Sequence, residues 1–166
     1  IDCHGHYTTE PKDLLRFRAD QVKAFDERTP PPPRAALRIT DDEIRESLEN
    51  NQIRLQRERG TDLTIFSPRA AGMSHHIGDE SVSLEWTQVC NDLIHRCVSL
   101  YPKNFVGVAQ LPQSPGVSPR NAAAELERAV TQLGCVGCNL NPDPSRGYFN
   151  SPPMTDRWWY PLYEKM

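Results

Sequence analysis

A parallel α/β sheet wound as successive βα units, the N-terminal half of a (β/α)8 TIM barrel, is the fold class this sequence predicts. Short, near-continuously apolar runs alternate with amphipathic stretches of helical period, the pattern of a sheet buried on both faces. Proline or glycine closes the runs and helices, at Gly60, Pro68, Pro112 and Gly134. The 166 residues hold about four such units, fewer than the eight that take roughly 250 residues in a complete barrel.

Taken in order, Ile1-Asp2-Cys3-His4-Gly5-His6 reads as a short buried first strand. A polar helix follows over 12–26. Thr29-Pro30-Pro31-Pro32-Pro33-Arg34 then forms an extended connection, with an SH3-type ligand as the other reading. Thr40-Asp41-Asp42-Glu43 is a capping box that starts a helix with Ile44, Leu48 and Leu55 on its core side, running to Gly60. Residues 62–67 form the second strand. Trp86, Val89, Cys90, Leu93, Ile94, Cys97 and Leu100 recur at helical spacing over 83–100. The third strand spans 105–111. Ser118 as N-cap and Pro119 at the first helical position open a helix that faces the core with Leu126, Val130 and Leu133. Residues 135–140 make the fourth strand, and Trp158-Trp159-Tyr160 reads as the buried face of a last helix. Right-handed crossovers connect such parallel strands. The chain opens inside a strand without Met and stops within a helical pattern, which reads as one incomplete domain over 1–166, cut from something longer.

Composition bounds the function. With 37% hydrophobic and 25% charged residues the chain is globular, its formal net charge is −3, and no basic run is long enough to track a phosphate backbone. Nucleic acid is therefore not an expected partner. No apolar run reaches the roughly 20 residues that span a bilayer, so no membrane partner is expected either. Five cysteines and no secretory leader fit a reducing cytoplasm. Cys135-Val136-Gly137-Cys138 has redox spacing, but it lies on a strand rather than opening a helix.

In a parallel α/β fold the chemistry sits just past the C-terminal strand ends. Those points carry His4-Gly5-His6, Ser67-Pro68-Arg69, Gln110-Leu111-Pro112-Gln113 and Asn139-Leu140-Asn141-Pro142-Asp143. His4 and His6, at i and i+2 of a strand, share a face and form half of a metal site; two histidines in a terminal turn is the alternative. Arg69, with no acidic neighbour in sequence, either grips a carboxylate in a fork or makes a surface ion pair. His75 and His76, in a Gly-containing loop, bind an anion or are simply solvated. Asn141 and Asp143 orient substrate, contact a metal, or build an Asn-Pro-Asp-Pro turn. His95 reads as a surface or helix-packing residue.

Together these stretches, with His75-His76-Ile77-Gly78-Asp79 and Leu111-Pro112-Gln113-Ser114-Pro115-Gly116-Val117, resemble the metal-dependent amidohydrolase superfamily. The likeness is to the branch that contains 2-amino-3-carboxymuconate-semialdehyde decarboxylase, and it runs through nearly the whole chain. The resemblance implies a distorted barrel of the metal-dependent hydrolase type holding a divalent metal, most often zinc, with His4 and His6 matching its first two ligands. It places the remaining histidine ligand and the proton-transferring acid on later strands, beyond Met166, so this fragment alone is expected to be inactive. The implied reaction is hydro-lyase addition of water to a double bond conjugated to a keto acid, as in 4-oxalomesaconate from protocatechuate or gallate breakdown. Arg69, His75, His76 and Asn141 would then hold a small-molecule tricarboxylate. A decarboxylase or hydrolase of the same superfamily is the second reading, and a non-catalytic module using Pro30–Pro33 the third. Homo-oligomerisation of a full-length parent is a further expectation, and half a barrel should expose its fourth strand and an apolar face around Trp158 and Trp159.

Overall fold

Three parallel strands, β1 (Asp2–Tyr7), β2 (Thr64–Pro68) and β3 (Phe105–Gly107), lie in the order β1-β2-β3 in a computed structural model that describes residues 1–148 and 150–166. A second parallel ladder joins β4 (Ala109–Gln110) to β5 (Cys138–Asn139). The run expected as one strand over 105–111 is thus divided between two partners. Val108 N–H still donates to Phe66 O at 2.8 Å, whereas Gly107 O accepts from Val136 N–H at 2.9 Å. Successive residues of a strand bond to opposite neighbours, so the path passes from β2 to β5 without leaving the sheet. The fourth strand is shorter than expected. Cys135 N–H donates to Ala129 O, which ties the start of that run to the preceding helix instead.

The faces of this sheet are covered by α1 (Lys12–Glu27), α2 (Asp41–Asn50), α3 (Gln52–Arg59), the short α4 (Ala70–Met73), α5 (Glu80–Leu100), α6 (Arg120–Thr131) and α7 (Tyr160–Tyr163). The capping box forms as expected, with Glu43 N–H donating to Thr40 Oγ1 and the Glu43 carboxylate accepting from Thr40 N–H. The single helix expected from Thr40 to Gly60 is instead two. Asn51 leaves helical geometry at φ −127°, ψ −89°, and the phase change buries Ile53 and Gln56 while Leu55 stays half-exposed. Gln56 is buried because both ends of its amide are bonded. Its Nε2 donates to Thr64 Oγ1 and Asn104 O, and its Oε1 accepts from Asn104 Nδ2.

α5 begins at Glu80, ahead of the expected start, because the Asp79 carboxylate accepts the Val82 N–H. Pro119 precedes α6 with no side-chain cap from Ser118. On α6 the buried positions are Ala122, Glu125, Leu126 and Ala129, and Val130 faces solvent. The main core joins Tyr7, Phe66 and Phe105 from the strands to Phe17, Ile44, Leu48, Trp86 and Ile94 from the helices. Phe66 stacks on Phe105 with ring centroids 4.5 Å apart. Each such side chain is worth about 1.5–3 kcal/mol of burial.

Trp159 is buried with Leu111, Ala122, Leu126 and Leu162 in a second cluster that half-buries Trp158, so the expected exposed apolar face there is closed. Tyr160 turns outward. β1 is not the buried strand expected. Residues 1–4 are exposed, and among the described residues neither β1 nor β5 has a strand on its outer side. Cys135 is buried and Cys138 half-buried, and burial pushes the Cys135 thiol up to about 11, away from the thiolate form that redox exchange uses. No helix among the described residues is long and apolar enough to cross a membrane.

Candidate metal and substrate site

Strand parity delivers His4 and His6 to one cleft, with ring centroids 4.5 Å apart and the rings edge to face. Between them Gly5 sits where β1 and β2 approach so closely that a Cβ would stand 2.4 Å from Thr64 Cγ2. The His6 ring is fixed through Nδ1, 2.8 Å from Ser67 Oγ and 3.1 Å from Pro68 O. A carbonyl only accepts, so Nδ1 carries the hydrogen. The Ser67 hydroxyl is consistent with this: it donates to Gly5 O and accepts from Asn139 Nδ2 and from His6. His6 Nε2 is left as a bare lone pair, the form that ligates a metal, with its orientation set from behind.

The cleft has a volume of about 390 Å³. Gln110 and Asn139 line it from the strand ends, Met73 and His75 from the segment after β2, and Asn141 from the segment after β5. The ends of β1, β2, β4 and β5 therefore converge on it, as the parallel fold requires. Its rim is tied by side-chain amides. Gln113 Nε2 donates to Asn141 O at 2.9 Å while its Oε1 accepts Asn141 N–H at 2.8 Å. On the other side of β4, Asn91 Nδ2 donates to Gln110 O and Asn91 Oδ1 accepts Gln110 N–H, both at 2.9 Å.

His75 is 1% exposed. Its Nδ1 lies 2.9 Å from Ser83 Oγ and accepts Gln113 N–H at 3.4 Å, and its Nε2 is buried without a partner. Burial, reinforced by Arg18 and His76, lowers its pKa to about 4. The turn that carries it is held by Trp86 Nε1–H on Gly72 O and by Arg18 on Ser74 O.

Arg69 and His76 are not among the residues lining the cleft. Of the two readings of Arg69, the structure shows the ion pair, with Glu10, distant in sequence, whose Oε1 is 3.7 Å from Arg69 Nη1. Arg69 instead lines a small apolar side pocket with Tyr7 and Trp86. Asn141 Oδ1 accepts Asp143 N–H, and the Asp143 carboxylate accepts from Ser145 and Gly147, so that stretch does build the Asn-Pro-Asp-Pro turn. His95 Nδ1 bonds to Leu133 O at 3.0 Å and packs α5 on the end of α6. Ser67, Gln110, Gln113 and Asn139 fall in the strand-end stretches that the sequence marks, but no spacing or motif assigns them a role there.

Two imidazoles, one of them locked with Nε2 bare, suit a divalent transition metal, and they fit it as a partial donor set. Among the described residues no group of three His, Cys, Asp or Glu side chains is close enough to complete one.

A parallel α/β sheet with an H-x-H pair on its first strand, opening into a cleft at the strand ends, defines the class: the chain belongs to the amidohydrolase family, whose model matches residues 1–166. Over all 166 residues it is 57% identical to 2-keto-4-carboxy-3-hexenedioate hydratase of Sphingobium sp., covering 48% of that protein. It superposes on the crystal structure of 4-oxalomesaconate hydratase from Rhodopseudomonas palustris with a TM-score of 0.93 at 50% identity, over 100% of this chain and 48% of that one. A manganese-bound dihydroxybenzoic acid decarboxylase from Polaromonas sp. matches with a TM-score of 0.61 at 25% identity, over 99% of this chain and 45% of that one. The chain spans about half the length of these relatives.

Proposed function

We propose that the chain is the first half of a metal-dependent hydratase barrel, and that the whole protein adds water to the double bond of 4-oxalomesaconate. The observation that carries this is the 57% identity to a hydratase over all 166 residues, those of the cleft included. The substrate that relative's name describes is a 2-keto acid with a C3–C4 double bond and three carboxylates. Water addition places hydroxyl on C4 and a proton on C3, giving 4-carboxy-4-hydroxy-2-oxoadipate.

His4 and His6 would hold the divalent metal, with zinc the first expectation for this donor chemistry and manganese the alternative. When bound, such an ion lowers the pKa of a coordinated water and polarises substrate oxygens. The Nδ1 contacts to Ser67 and Pro68 would keep His6 in the tautomer that such ligation needs. His75 and Asn141, which line the cleft, would meet the substrate there. Arg69 and His76 join them only by turning toward the cleft from the loop after β2, which for Arg69 means leaving its 3.7 Å pair with Glu10. A trianionic substrate entering a chain of net charge −3 needs such local donors and cations. By the family resemblance, the acid that protonates C3 would lie in the part of the relatives that these residues do not span, and the 166-residue chain alone is then expected not to turn over. Unpaired thiols suit a reducing cytoplasm.

The test is hydration of 4-oxalomesaconate by the whole protein, followed as loss of the conjugated chromophore, with and without chelator. Chelator-sensitive turnover that a His4→Ala/His6→Ala variant loses by roughly 100-fold or more is the expected result. Release of carbon dioxide from a carboxylated aromatic without hydration would reassign the protein to decarboxylation.

A further inference from the structure

His75 is a buried polar group whose ring is held at one nitrogen and left without a partner at the other. Ser74 adopts a left-handed backbone, φ 43° and ψ 54°, a conformation that a non-glycine residue keeps only where its surroundings impose it. Arg18 bonds to Ser74 O and Trp86 to Gly72 O, and this backbone turns His75 inward. There its Nδ1 meets the Ser83 hydroxyl on α5 and the Gln113 N–H beyond β4.

A backbone N–H only donates, so Nδ1 is an acceptor and the hydrogen of the neutral ring resides on Nε2. The Ser83 hydroxyl can donate to the same lone pair. Nε2–H therefore points away from both partners, buried and unsatisfied, in a residue that lines the cleft shared with His4 and His6. An orphaned buried donor is destabilising, and a ligand that supplies an acceptor relieves it.

From this geometry we infer that His75 is a substrate-contacting residue that donates Nε2–H, as a neutral imidazole, to the C2 keto oxygen of the conjugated keto acid. The inference rests on the hydratase reading above. When hydroxide equivalent adds at C4, the C3–C4 bonding pair shifts toward C2 and negative charge collects on that oxygen; the proton later delivered to C3 returns it to the ketone. A neutral donor loses no proton to this oxygen and binds it more strongly as charge grows, because hydrogen bonds to ionised acceptors are about twice as strong as neutral ones. Catalysis gains from that difference between ground and transition states. Ser83 and Gln113 are positioning residues: they fix the tautomer and touch no substrate.

The experiment compares the metal-loaded whole protein with His75→Leu and His75→Gln, the second of which keeps an N–H donor at about the same reach. Expected is a loss in kcat on the order of 100-fold for His75→Leu with KM changed severalfold or less, and recovery of roughly tenfold of that loss in His75→Gln. Imidazole ¹⁵N shifts at pH 7 should show His75 protonated at Nε2 and bare at Nδ1. Wild-type turnover with His75→Leu within about twofold of it, or a ring protonated at Nδ1, overturns the inference alone. Absence of wild-type hydration overturns the hydratase reading and the inference with it. If His75→Leu fails to fold, His75→Gln and the ¹⁵N shifts decide the matter. A folded Gln variant that retains turnover, with the wild-type ring protonated at Nε2, supports the donor, and one that loses the full 100-fold or so in kcat overturns it.

Discussion

His75 links burial to acidity in a measurable way. Its folded pKa is near 4 against 6.5 when solvated, pushed down first by burial and then by the charges of Arg18 and His76. Above pH 6.5 the ring is neutral in folded and unfolded chains and contributes no pH dependence. Between 6.5 and 4 the unfolded chain takes up a proton that the folded one refuses, so stability falls as pH drops through this window, by up to roughly 3 kcal/mol. A His75→Gln chain should lack that slope in denaturant titrations at about pH 7, 5.5 and 4.5. Parallel pH profiles for the two chains would rule out the buried neutral ring. The histidine pair on β1 is legible in the sequence because strand parity is a local rule. The state of His75 is not, because Ser83 and Gln113, which set its tautomer, are supplied by other elements and no spacing rule connects them to a loop histidine. Arg69 looks unpaired in sequence for the same reason: Glu10 reaches it through the fold rather than along the chain.

Helix starts are legible where the cap and its return partner both show in the sequence, as with Thr40 and Glu43. The start at Glu80 is harder to see, because Asp79 caps it alone, without a reciprocal Glu or Gln at the third helical position. The breaks are harder still. Asn51 and the handover at Gly107–Val108 depend on which neighbour each backbone group meets, which a hydrophobic period does not encode. Contact between β1 and β2 is sensitive to a single methyl. Gly5→Ala should destabilise the chain by about 1–3 kcal/mol, because its Cβ would stand 2.4 Å from Thr64 Cγ2. Adding Thr64→Ser removes that methyl and keeps the hydroxyl that Gln56 Nε2 bonds, so the double variant should regain most of the loss in thermal melts. Melts in which Thr64→Ser gives no relief would show that the cost of Ala at position 5 lies elsewhere.

As a whole the chain leaves two sheet margins uncovered among the described residues. Beside β5, Val130 and Val136 are 47% and 65% exposed, next to Met166. An unpaired strand margin with apolar neighbours recruits further strands. The 166-residue chain should therefore self-associate at micromolar concentration, and Val136→Lys should shift it toward monomer in size-exclusion chromatography with light scattering. A wild-type monomer with one cooperative melt would sink this idea. The sequence suggests a second sticky face around Trp158 and Trp159, but Leu111, Ala122 and Leu126, distant along the chain, close over it.

The amide clamps at the cleft rim have a meaning for dynamics. β4 and β5 share only a two-residue ladder, yet Asn91 and Gln113 each present a carboxamide that meets both the N–H and the C=O of one backbone residue. Each side chain thus imitates a rung of the sheet where no strand continues. In hydrogen exchange the amides of Gln110 and Asn141 should be protected like those of a central strand, although Asn141 stands in a solvent-facing loop. The mouth of the cleft inherits the stiffness of a sheet from side chains alone.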